Sequence, residues 1–96
     1  MRRRPAKAKT VTLDASLADI AAVRDRLVSA LELPEWTGRN LDALWDALST
    51  DAKGPIRIVW KDHTLAAKIL GPTYRRLVVL FRDLAAARRD VTFTLE

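Results

Sequence analysis

Asp42 and Asp46, four residues apart, are the most suggestive chemical pair in this 96-residue chain. On a helix they would share one stripe, where like charges repel by roughly 0.2–0.5 kcal/mol. Two carboxylates on a rigid scaffold can offer phosphate-like charge to guanidinium and ammonium groups. The same pair can equally be a solvated acidic face, the usual fate of charge runs. Other chemistries have thinner support. His63 is the sole histidine, so mechanisms needing two imidazoles are excluded, and nothing in the sequence sets a serine beside it. A surface histidine at a helix start is the simpler expectation. The chain has no cysteine, which removes disulfides and thiolate metal sites. Gly38, Gly54 and Gly71 fall in separate turns, so no phosphate-cradling loop forms, and the carboxylates show no metal-ligand spacing. The expectation is a protein without catalytic residues, cofactor or metal.

The aspartates belong to an informative stretch, Leu33-Pro-Glu-Trp-Thr-Gly-Arg-Asn-Leu-Asp-Ala-Leu-Trp-Asp-Ala-Leu48. Pro34 cannot continue a preceding helix, so residues 33–39 read as a loop. Asn40 is a good cap for a short helix running to about Ser49. Leu41, Leu44, Trp45 and Leu48 recur at three- and four-residue steps, a stripe apart from that of the two aspartates. Trp36, on the loop, either covers the edge of the core or anchors an interface. Gly38 fits a turn with positive φ, or a close approach of the backbone to a partner.

Around this stretch the pattern alternates between strands and helices. Residues 10–13, 56–60 and 91–95 read as strands, the second buried on more than one side. Ser16 can cap a helix in which Ile20, Val23, Leu27, Val28 and Leu31 face inward, leaving Arg24, Asp25 and Arg26 mostly outside. Asp62 or Thr64 can start a brief helix through Leu70, which Gly71-Pro72 ends. Thr73 then caps a long helix with Tyr74, Leu77, Val78, Phe81, Leu84 and Ala85 inside and Arg88-Arg89 in its last turn. Helical crossovers between strands imply an α/β fold: one domain, a three-stranded parallel β-sheet packed with about four helices.

Charge is uneven along this framework. Residues 1–9 hold Arg2, Arg3, Arg4, Lys7 and Lys9 and no acid, which accounts for the whole formal charge of +5. The remainder is neutral but polarised, with Glu32, Glu35, Asp42, Asp46 and Asp51 against Arg39 alone in its middle. The chain therefore divides into a basic tail, 1–9, and a domain, 10–96. No apolar run approaches the roughly 20 residues of a membrane span, and no apolar segment follows the basic start as in a secretory signal. A cytoplasmic protein, monomeric when free and without a membrane partner, is expected.

The stretch from Leu33 to Leu48 closely resembles the barstar family of intracellular ribonuclease inhibitors, and the similarity spans residues 10–96. Its most specific part is Gly38-Arg-Asn-Leu-Asp-Ala-Leu-Trp-Asp46; Phe81-Arg82-Asp83 and the final strand add weaker support. The resemblance implies the same α/β fold and a bacterial inhibitor or immunity role. It implies that the second helix and the loop before it plug a ribonuclease active site. Carboxylates would then take phosphate positions among arginines, a lysine and a catalytic histidine. By position it makes Asp46 the central carboxylate and Asp42 its neighbour, with Trp36 packing on the catalytic histidine. Gly38, Asn40 and Leu41 fall at contact positions of the loop, and Asp83 at an outlying acidic contact. Trp45 matches a contact tryptophan, although its spacing suits core packing equally well. Arg39 stands where the family often has an acid, and Ala87 replaces another at the rim. These departures favour an inhibitor role over barnase as the particular target. The alternative is a small nucleic-acid-binding module that uses the Arg/Lys tail as a phosphate-contacting arm.

Overall fold

The computed structural model describes residues 8–96, and its secondary structure follows the expected order. Strand β1 (Lys9–Leu13) is followed by α1 (Ile20–Leu31) and α2 (Leu41–Asp46), which runs into a π-helical turn (Ala47–Asp51). Then come β2 (Ile56–Trp60), α3 (His63–Leu70), α4 (Pro72–Ala87) and β3 (Val91–Leu95). The three strands form one parallel sheet in the order β1-β2-β3, with Lys9 opposite Ile56 and Ile56 opposite Val91. The crossover helices make parallel pairing possible, since strands joined by tight turns would run antiparallel. Strand β1 starts at Lys9, one residue before the expected domain boundary. The rest of the tail, residues 1–7, lies outside the described residues.

Alternation along each strand divides the sheet into two unlike faces. Val11, Leu13, Ile56, Ile58, Trp60 and Val91 are buried with Leu27, Leu44, Leu77, Phe81 and Leu84 of the helices. Phe81 stacks edge-on to Trp60, with ring centroids 6.1 Å apart. On the other face Thr10, Arg57, Thr92 and Thr94 are exposed and Val59 alone on β2 is buried. The expectation of a second strand buried on more than one side therefore holds only at Val59.

Several local details differ from expectation. Asp19, not Ser16, caps α1: its carboxylate accepts from the Ala22 amide at 2.8 Å. Ser16 instead donates its amide and hydroxyl to Asp14, in the kind of turn an aspartate side chain forms with the backbone two residues on. Pro72 takes the first position of α4, where its missing N–H costs nothing, so Thr73 lies inside the helix and does not cap it. The same helix ends at Ala87, which leaves Arg88 in extended backbone instead of in the last turn. His63 is half-buried at the start of α3, with Nδ1 3.0 Å from the Tyr74 hydroxyl.

Candidate functional site

The loop after α1 is held by its own hydrogen bonds and by one helix side chain. The Thr37 amide and hydroxyl both donate to the Pro34 carbonyl, at 3.0 and 2.7 Å. Arg24, expected on the outside of α1, is buried at 6% exposure and donates to the carbonyls of Glu35 and Thr37. A signal for this was present: Arg24 sits four residues from both Ile20 and Val28, on the stripe that faces inward. Between those two anchored carbonyls Trp36 projects into solvent, 79% exposed. It is not a cover for the core edge.

Gly38 serves a close approach, but to its own chain and without the positive φ that a turn would need. A Cβ built there would stand 2.7 Å from the Ala43 Cβ, so the loop packs directly on the first turn of α2. Asn40 caps that turn as expected, its side-chain oxygen accepting from the Ala43 amide at 2.8 Å. The regular helix stops at Asp46, short of the expected Ser49. There the Ser49 and Thr50 hydroxyls donate to the carbonyls of Trp45 and Asp46, drawing them from the backbone ladder. The ladder widens to a five-residue step, with the Ala52 amide donating to the Ala47 carbonyl at 2.8 Å. Arg88 secures this end, giving one guanidinium nitrogen to the carbonyls of Leu48 and Ala52 at 2.6 and 2.9 Å. Its other nitrogens hold Asp90 in a fork at 3.0 and 2.8 Å, which lowers the Asp90 carboxyl below the usual carboxylate range. Neither arginine was identified from the sequence as a support of this segment.

Most of the candidate residues line one of two recesses. A concavity of about 180 Å³ has Trp36, Gly38, Asp46 and Asp51 in its lining, so Asp51, not among the expected site residues, shares it with Asp46. A wider one of about 630 Å³ brings Asn40, Leu41 and Asp42 together with Arg39, Thr73 and Arg76. Asp42, Asp46, Asp51 and Asp83 are all exposed, and none stands in an ion pair among the described residues. Asp83 lies on α4 and lines neither recess. Trp45 is half-buried and packs against the core, the second of the roles its spacing allowed. Among the described residues no group of His, Asp and Glu side chains could hold a metal ion.

Fold and site together define a class: a parallel α/β domain that presents, from one anchored segment, a bare indole and carboxylates with no ion-pair partner among the described residues. The chain belongs to the barstar family, since the family model described as Barstar (barnase inhibitor) matches residues 8–96. It is also similar to the "Putative ribonuclease inhibitor YrdF" of Bacillus subtilis (strain 168), at 38% identity over 53 residues. That match takes in 55% of this chain and 58% of the relative's length.

Proposed function

We propose that this chain is a non-catalytic inhibitor of a ribonuclease, acting as a monomer that sets Asp46, Asp42 and Trp36 against a cationic active site. One observation carries the reading: Asp46 is exposed, shares a concavity with Trp36, and has no ion-pair partner among the described residues. A carboxylate kept available in this way gains most when it meets a desolvated guanidinium or ammonium. Family membership and the name of the Bacillus relative support a ribonuclease as the partner class. Gly38, Asn40, Leu41 and Trp45 complete the contact surface or its backing, with Asp83 at the rim.

The wider recess narrows the choice of enzyme. Arg39 and Arg76 line it together with Asp42, so a target that offers only cations would be repelled at this edge. The fitting ribonuclease offers a cation to Asp42 and Asp46 and an acidic group beside it. Because the domain is neutral apart from the tail, long-range attraction contributes less than local pairing.

The test is capture of ribonucleases from cell extract and secreted protein on the immobilised chain, followed by calorimetric titration of variants. Asp46→Ala is expected to keep the fold and weaken binding by more than about 2 kcal/mol, roughly thirtyfold, the scale of an interface hot spot. Asp42→Ala moves in the same direction and Asp83→Ala costs less. Undiminished binding by folded Asp46→Ala sinks the carboxylate mechanism.

A further inference from the structure

Arg24 lies on α1, outside the candidate surface, yet two of the three hydrogen bonds it donates go to the loop that carries Trp36. Nε donates to the Thr37 carbonyl at 2.9 Å and Nη2 to the Glu35 carbonyl, while Nη1 meets Asp25 at 2.7 Å. Those two carbonyls belong to the residues on either side of Trp36. A planar guanidinium fixes the angle between its donors, so two bonds hold a length of backbone where one would hold a point. Core packing does not call for this side chain: an apolar residue between Ile20 and Val28 would fill the stripe without burying a charge. What the arginine adds is a defined path for a loop that has no regular secondary structure.

We propose that Arg24 is a positioning residue for partner binding, holding the backbone on both sides of Trp36 so that the exposed indole meets the partner in one orientation. The inference rests on reading this surface as the inhibitory site. A loop that is free before association must be ordered during it, and that ordering weakens affinity. Arg88 provides an internal comparison, because it bonds to carbonyls at the far end of the same segment, Leu48 and Ala52.

The experiment measures amide hydrogen exchange in the free full chain, as parent and as Arg24→Met, Arg24→Lys and Arg88→Met. The reporter is the Thr37 amide, bonded to the Pro34 carbonyl. Arg24→Met is expected to speed its exchange at least tenfold while Val11 and Ile58 in the sheet remain slow. Arg24→Lys gives the same result, because one ammonium cannot span two carbonyls in the fork of a guanidinium. Arg88→Met leaves Thr37 protected. Affinity for the ribonuclease captured on the parent chain falls at least tenfold in both Arg24 variants. Thr37 exchange at the parent rate in either folded variant overturns the clasp, as does faster exchange in the sheet and loop alike. A loosened loop with unchanged affinity overturns the positioning role while leaving the carboxylate mechanism to its own Asp46 test. If Arg24→Met fails to fold, Arg24→Lys decides. If the parent captures no ribonuclease, the functional reading falls, and with it any role of Arg24 in that binding.

Discussion

Replacing Gly38 by alanine tests how tightly the loop and α2 are joined. The added Cβ would lie 2.7 Å from the Ala43 Cβ, where ordinary contact begins at 3.4 Å, so loop and helix must part by about 0.7 Å. The obstacle is a methyl attached to helical backbone and has no rotamer by which to yield. Overpacking of this kind costs roughly 1–3 kcal/mol. Gly38 lacks a positive φ, so alanine also gains roughly 0.4–1 kcal/mol by stiffening the unfolded chain. From the midpoints of these ranges the expected net loss is about 1.3 kcal/mol, a fall of roughly 5–10 °C in melting temperature for a domain of this size. Ala43→Gly should remove the obstacle. Alone it costs about 1 kcal/mol in helix propensity, but in the Gly38→Ala background it should recover at least about 1 kcal/mol of coupling. Thermal unfolding of the parent, both single variants and the double variant completes the cycle. Additive effects, or a Gly38→Ala protein as stable as the parent, would refute the packing argument.

Asn40→Ala should cost about 1 kcal/mol by freeing the Ala43 amide, whereas Asn40→Asp, which keeps the acceptor, should be nearly neutral in urea unfolding. Acid should destabilise the fold through Asp14 and Asp90. Both carboxyls are lowered in the folded state, Asp14 first by hydrogen bonds from Ser16 and then by Arg26, Asp90 first by its bond from Arg88. Their contribution is complete above the ordinary aspartate pKa and disappears as pH falls through the lowered values. Melting temperature should therefore hold steady from neutral pH to about pH 5 and fall below about pH 4, less steeply in Asp90→Asn. Removing residues 2–7 should leave ribonuclease affinity within about twofold of the parent in the same titration; if affinity for RNA is lost instead, the nucleic-acid reading gains.

The order of elements was legible because its causes are local. β-Branched and aromatic residues marked 56–60, alternation marked 91–95, and Asn40 announced the start of α2, since a capping side chain acts only three residues away. The candidate surface was legible in kind for the same reason: helical spacing alone brings Asp42 and Asp46 to one side. Their separation into two recesses was not, because it depends on Thr73 and Arg76 arriving from another helix. Nor was the reason for Gly38, which lies in a backbone contact with Ala43 and not in its own φ. The clearest case is the pair of arginines. Spacing put Arg24 beside the core stripe, but an arginine is ordinarily assigned to solvent, and only the folded chain brings it carbonyls 11 and 13 residues away. Arg88 reaches its carbonyls across 40 and 36 residues. Local sequence determined which groups this protein can offer a partner. Tertiary structure decided how they are held, because a guanidinium drawn out of water needs acceptors for its donors, and distant backbone carbonyls supply those that the neighbouring aspartates do not.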